Sequence, residues 1–246
     1  MNINFITSNK LKFDIASTYF ASLDGLFMLK QHALDVPELQ AESVTEVAAF
    51  SAREAVKVIG EPCIVSDAGL MIEALNGFPG PFVKYANQWL GVEGYLHLLS
   101  HTDNRRAYWE DALALAFSDG TTRVFTRREY GRFAESAIAS KVGWAANDLF
   151  IPDGYDVPLG QLSREEQIAF WGAGCWPNIV DYLQQWNDDI IPYIGKPAAS
   201  ALIGIGITKS SQLKEFTEKD LLAIHGIGPK AIRMLRDAGL KLKGEK

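Results

Sequence analysis

The chain has only two cysteines, Cys63 and Cys175, in 246 residues. That excludes a disulfide scaffold, and their separation matches no metal-ligand spacing. No run of about 18 apolar residues occurs, so no segment reads as a membrane span. The opening Met1–Lys10 stretch lacks a basic segment followed by a long apolar run; no secretory leader is expected, and the expected location is cytoplasmic. Low-complexity tracts are also missing. With 48% hydrophobic and 22% charged residues, the composition is that of a folded globular protein rather than a disordered one. The length fits one large domain, or one medium and one small.

Acidic residues are scarce in the last 52 residues of the chain. The formal net charge is −6, but residues 195–246 hold ten Lys/Arg against five Asp/Glu, while residues 1–194 hold 14 against 25. A basic tail on an acidic body suggests two modules with different partners. The tail could meet nucleic acid; it could equally be a solvated lysine-rich surface. The boundary is placed at 187–197, where two prolines, a glycine and an acidic pair follow a helical pattern ending near Trp186. This gives a body over 1–186 and a module over 198–246.

Periodicity supplies a coarse map of the body. Asn2–Thr7 alternates like a strand. Lys12–Leu23 is helical, with Phe13, Ala16, Tyr19 and Phe20 on one face. Ser43–Ile59 is a second helix with Val47, Phe50, Ala55 and Val58 inward, and Ser43 with Glu46 has capping-box spacing. Pro62–Val65 reads as a short buried strand closed by a turn, Ser66-Asp67-Ala68-Gly69. Asn76–Pro81 is a loop by composition and Val92–Leu99 is helical. Ala107–Ser118 and Thr121–Tyr130 form a hairpin across Asp119-Gly120. Helices over Arg164–Phe170 and Ile179–Trp186 close the body. The class is α/β.

Polar residues at two strand ends point to chemistry. Thr7, Ser8, Asn9 and Lys12 lie where a strand gives way to a helix. Free N–H groups there attract anions and the lysine adds charge, although Ser and Asn also serve as plain N-caps. Asp67 at the end of a buried strand is placed to hold Mg²⁺ or orient a water, and Glu46 could be a second metal carboxylate. Lys84 follows a rigid Pro-Gly-Pro loop that could present its ammonium to a phosphate.

Taken in order, these pieces resemble the inosine triphosphate pyrophosphatase family of house-cleaning nucleoside triphosphate pyrophosphatases. The matching stretches are Phe5-Ile6-Thr7-Ser8-Asn9 with Lys12, Glu46, Ser66-Asp67-Ala68-Gly69-Leu70, the run from Ala74 to Tyr85, and Phe150-Ile151-Pro152-Asp153-Gly154-Tyr155. The resemblance implies an elongated mixed sheet with two lobes and a central nucleotide cleft, usually in a homodimer. It implies Mg²⁺-dependent hydrolysis of a nucleoside triphosphate to monophosphate and pyrophosphate. Thr7, Ser8, Asn9 and Lys12, with Ser66 and Gly69, would bind the phosphates. Glu46 and Asp67 would hold the metal, Asp67 would align or deprotonate the attacking water, and Lys84 would neutralise charge.

The departures carry information too. The family has two consecutive acids where this chain has Ser66-Asp67. Its base-binding stretch, Phe-Gly-(Tyr or Trp)-Asp-Pro, reads Trp144-Ala145-Ala146-Asn147-Asp148. Trp144 remains for stacking, and the acid becomes Asn147 or, with a shifted gap, Asp148. A Glu-Lys pair and a Ser-His-Arg triplet become Glu166-Gln167 and Trp171-Gly172-Ala173. The missing groups would recognise a 6-oxo purine, so the triphosphate end is expected to be retained and the base selectivity altered. Trp171 and Trp176 either line a more aromatic pocket or pack the core.

The tail resembles a helix-hairpin-helix module. Leu221, Leu222 and Ile224 would pack against Ile232 and Leu235, with Gly226 and Gly228 in the hairpin and Pro229 opening the second helix. Its N–H groups, with Lys230 and Arg233, could bind a DNA phosphate without reading sequence; such modules also dock proteins. Leu202-Ile203-Gly204-Ile205-Gly206 is a weak echo of Ile224-His225-Gly226-Ile227-Gly228. Two readings follow: an enzyme with an appendage, or a degenerate nucleotide-binding protein tethered through its tail.

Overall fold

The computed structural model of the protein describes residues 2–23, 27–118, 120–137, 144–207 and 209–245, with the side chains of residues 185–193 and 196 outside that description. A mixed sheet runs through the body in the order β2-β1-β3-β5-β6-β7. The first strand, β1 (Asn2–Ile6), is buried from Ile3 to Ile6, as a central strand must be. It lies parallel to β2 (Met28–His32) on one side and to β3 (Cys63–Ile72) on the other. The short β4 (Pro79–Gly80) pairs with the far end of β3. Antiparallel strands β5 (Arg106–Ala116), β6 (Thr122–Phe133) and β7 (Phe150–Pro152) complete the sheet. The expected 107–130 hairpin is therefore present; its turn residue Asp119 lies outside the described residues.

Ser66–Gly69 is not a turn. β3 continues through it, paired residue for residue with β5: Ser66 with Leu113, Asp67 with Ala112, Ala68 with Asp111. Small and polar residues in a row suggest a turn, but backbone ladder bonds do not depend on side chains and carry the strand across the polar stretch. β1 stops at Ile6, opposite Val65, and β4 pairs only from Leu70 on, so between them, over Ser66–Gly69, this edge of β3 is unpaired.

Helix α1 (Lys10–Phe20) follows β1 and is capped by Asn9, whose side chain accepts from the Lys12 N–H. Helix α2 (Val44–Ile59) is capped by Ser43 and ends at Gly60 with φ +76°. Its buried stripe is Val44, Ala48, Ser51, Ala52, Ala55 and Val56; Val58, expected inward, is exposed. Helix α3 (Val83–Leu98) starts nine residues before the periodicity suggested and bends at Gly91. Three further helices, α4 (Ala145–Leu149), α5 (Arg164–Gly172) and α6 (Trp176–Ile194), complete the body. The expected linker over 187–197 is mostly helix, because α6 runs on to Ile194.

One face of β3, β5 and β6 is covered by α2. The opposite face carries two separate cores. Ile64, Leu113 and Leu115 pack with α1 and α6, and Leu70, Ile72, Ala107 and Trp109 pack with α3 and α4. Side chains alternate along a strand, so the residues between these cores on the same face are Ser66, Ala68, Asp111 and Arg127. This stretch separates the two cores, which we call the two lobes; Trp171 packs against both.

The C-terminal residues form helices α7 (Lys196–Gly204), α8 (Glu218–Leu222) and α9 (Pro229–Asp237) around a core of Leu202, Ile207, Leu213, Leu221, Ile232 and Leu235. A Thr217–Asp220 capping box opens α8, Gly226 (φ +98°) makes the turn, and Pro229 begins α9. These helices are docked on the body. Ile203 packs into the first lobe's core, and the Ser118 hydroxyl donates to the Gly204 carbonyl at 2.9 Å.

Candidate active site

The start of α1 and the middle of β3 meet in the cleft. Lys12 Nζ donates to Ser66 Oγ at 3.1 Å, joining residues 54 positions apart. Behind it, Asn9 N–H donates to Thr7 Oγ1, and Asn9 Oδ1 accepts from Lys12 N–H. Thr7, Asn9 and Lys12 thus form one locally braced turn, with Ser8 exposed beside them. Such a turn at a helix N-terminus is a preformed anion cradle.

Asp67 stands beside this contact, half-buried on the α2 side of β3. Desolvation raises its carboxyl to about 6; the Ala68 N–H and the Lys12 ammonium work against that, and the negative charge of Glu38 adds to it. Lys12 and Asp67 are therefore electrostatic neighbours drawn from distant parts of the chain.

Glu46 is not among the charges acting on Asp67. It is exposed and lines an outer groove with Leu39, Thr45, Ala49, Arg53 and Val124. Helical phase is the reason. Val44, Ala48, Ser51 and Ala52 turn to the sheet, and a residue two after Val44 points roughly 200° away from it. The acid near Asp67 is Glu38, in the Pro37-Glu38-Leu39-Gln40 segment between β2 and α2. It was invisible to a reading based on periodicity, because this segment has no regular structure. Among the described residues no three carboxylate, imidazole or thiol groups converge as a metal cage. Two carboxylates do suit Mg²⁺, which keeps several waters and takes further oxygens from substrate phosphates.

Gly69, expected beside the phosphates, is closely packed by its neighbours. A Cβ there would come within 2.8 Å of Val44 Cγ2 and 3.0 Å of the Gly80 backbone. Lys84 is exposed in the first turn of α3, with its ammonium 5.9 Å from the Tyr85 ring centroid. Trp144 caps α4 and is exposed, Asn147 is half-buried and Asp148 is buried. All three belong to the second lobe, where Asn87 Oδ1 accepts from Ala146 N–H and ties α4 to α3. Trp176 is a core residue, edge-on to Phe5 and Phe20. Trp171 lies between the lobes, 5.4 Å from Trp109.

The sequence reading missed Asp111. It shares the cleft floor with Ser66, and desolvation pushes its carboxyl up to about 7, with Lys12 opposing and Glu129 and Asp67 reinforcing the rise. Its ladder partner Arg127 is engaged elsewhere: Nε pairs with Glu129 at 2.6 Å and a guanidinium N–H donates to the Ala173 carbonyl.

With this arrangement established, relatives can be compared. A family model described as the Ham1 family matches residues 3–170. The chain belongs to the Ham1 family. It is 37% identical over 167 residues to a dITP/XTP pyrophosphatase of Methanopyrus kandleri, covering 68% of this chain and 87% of that one. It is 34% identical over 189 residues to a dITP/XTP pyrophosphatase of Korarchaeum cryptofilum, covering 76% and 99%. The crystal structure of a nucleoside-triphosphatase, dITP/XTP pyrophosphatase, from Mycobacterium abscessus superposes with a TM-score of 0.59 at 27% identity, covering 73% of this chain and 97% of that one. The family match ends before α6, leaving the C-terminal helices outside it.

Proposed function

We propose that this Ham1-family nucleoside triphosphate pyrophosphatase hydrolyses a triphosphate with a non-standard base to the monophosphate and pyrophosphate, using Mg²⁺. The observation that carries the reading is the Lys12–Ser66 hydrogen bond, which gathers the α1 cradle and the Asp67 strand around one cleft. The names of the relatives, dITP/XTP pyrophosphatases, agree with it. Thr7, Ser8, Asn9 and Lys12 bind the triphosphate oxygens through N–H, hydroxyl and ammonium donors. Lys84 approaches from the second lobe. Asp67 and Glu38 hold the metal, and Asp67 keeps the reacting water in line. Mg²⁺ supplies neutralisation of the phosphate charge.

The base end differs. Asn147 offers both a donor and an acceptor where the family has an acid, and Trp144 offers a stacking face. Beside Ala173, in place of the family arginine, a cavity of about 390 Å³ opens among Glu129, Tyr130, Tyr155, Phe170 and Ala173. Selectivity is therefore shifted from that of a 6-oxo purine enzyme. The test is pyrophosphate release with Mg²⁺ from a panel of standard and modified NTPs and dNTPs. Turnover concentrated on one modified base supports the reading; no turnover on any member leaves the nucleotide-binding alternative in its place.

The homodimer and the tail belong to the same proposal. Phe82, at the N-cap of α3, and Tyr85 and Trp89 on the helix are exposed aromatics, with Trp89 76% exposed, and this row suits a second copy. Sedimentation of Trp89→Asp as a monomer against a dimeric wild type would support it; equal masses would refute it. The α8–α9 hairpin, with Gly226, Gly228, Lys230 and Arg233 at its turn, is proposed as a helix-hairpin-helix element that holds a DNA phosphate.

A further inference from the structure

Lys12 is held at both ends by neutral oxygens. Its backbone N–H donates to Asn9 Oδ1 at 3.2 Å, and its ammonium donates to Ser66 Oγ at 3.1 Å. Among the described residues no carboxylate forms an ion pair with it. Ser66 begins the stretch of β3 whose outer edge is unpaired, so the ammonium stands at an open strand edge. Asp67 and Asp111 project from opposite faces of the β3–β5 ladder. Burial raises both carboxyls, and the Lys12 charge opposes the rise in each, as a cation at the edge between the two faces would.

The acceptor at position 66 decides what this ammonium is free to do. A loose lysine side chain samples many rotamers, and a ligand that orders it binds more weakly for doing so. A carboxylate at 66, where the family has the first of two consecutive acids, would order the side chain through a charge-assisted bond. That bond would also neutralise the ammonium, and an arriving phosphate would have to break it. A hydroxyl orders the same side chain through a weaker bond and leaves its positive charge whole.

We propose that Ser66 is a positioning residue for Lys12: its hydroxyl holds the ammonium at the β3 edge without neutralising it, and so sets the affinity of this site for polyphosphate. Ser66 acts through Lys12 and not by touching the substrate. The inference rests on the reading of the α1 turn and the β3 edge as the polyphosphate site.

The test measures pyrophosphate binding to the full chain by calorimetry without Mg²⁺, and KM and kcat with Mg²⁺ for the nucleotide cleaved best. Ser66→Ala should weaken pyrophosphate binding about three- to tenfold and raise KM to match, with kcat within threefold. Ser66→Thr, which keeps the hydroxyl, should stay within twofold of wild type. Ser66→Asp should weaken Mg²⁺-free binding at least thirtyfold. In a Lys12→Met chain, Ser66→Ala should change nothing further, because the group it positions is gone; a merely structural serine would cost as much there as in wild type. Wild-type binding in Ser66→Ala, wild-type binding in Ser66→Asp, or an equal loss with and without Lys12 overturns the proposal. A wild type that binds pyrophosphate but releases none from any nucleotide takes down the hydrolase reading, and the Lys12–Ser66 coupling is then decided by the binding cycle. A wild type that binds no pyrophosphate takes down the proposal.

Discussion

Asp111 links stability to pH through its protonation. Its folded pKa, about 7, lies above the 3.8 of an ordinary aspartate. The native state therefore binds the proton more tightly than the unfolded chain between about pH 4 and pH 7. Stability falls as pH rises through that window, and the cost is fully present above it. Asp111→Asn should match wild type near pH 4 and exceed it at pH 8 by on the order of 2 kcal/mol. Thermal melts at the two pH values check this; a variant less stable than wild type at pH 8 would contradict it. A second residue-scale prediction separates two acids. Glu38→Gln should lower Mg²⁺-dependent kcat/KM at least tenfold, whereas Glu46→Gln should leave it within threefold. Steady-state kinetics across a Mg²⁺ titration decides between them, and the reverse ranking would restore Glu46 to the metal.

At the scale of elements, the site depends on how closely α2 and β4 approach β3. Gly69 makes that approach possible, since the nearest atoms to an added Cβ belong to Val44 and to the Gly80 backbone, which cannot swing aside. Gly69→Ala should destabilise the protein by about 1–3 kcal/mol through overpacking. Urea denaturation at fixed pH measures it, and an unchanged midpoint would show that the two elements yield easily. The gap between the lobes arises from an interruption of hydrophobic pattern: apolar residues at Ile64, Leu70 and Ile72 build two cores, Ala68 packs only at the margin of the second, and Ser66 joins neither. Half of this was legible. The apolar run into Val65 identified the strand, and the polar residues after it marked a candidate site. That the strand continued depended on β5, a partner that no local window contains.

At the scale of the whole molecule, an acidic body carries a basic set of helices. If these helices bind DNA, the full chain should be retained on duplex DNA at low salt and released steeply as salt rises, because bound lysines and arginines displace condensed counterions. Lys230→Glu/Arg233→Glu should abolish retention while pyrophosphate release stays within twofold. Retention that ignores salt, or that survives the double variant, would point away from phosphate contacts at this hairpin. The docking of α7–α9 through Ile203 and Ser118 also makes the tail part of the body's packing, which charge segregation alone did not suggest.

The sequence by itself determined the α/β class, the capped turn at Thr7–Lys12 and the two-part charge distribution, and pointed to Asp67 as a candidate, because capping, strand patterning and composition act over a few neighbouring residues. Only the tertiary structure decided which acids are neighbours. Helical phase turned Glu46 outward, an irregular segment delivered Glu38, and strand register placed Asp111 beside the gap left by Ser66. Electrostatic coupling depends on distance in space, and strands brought together across fifty residues set that distance.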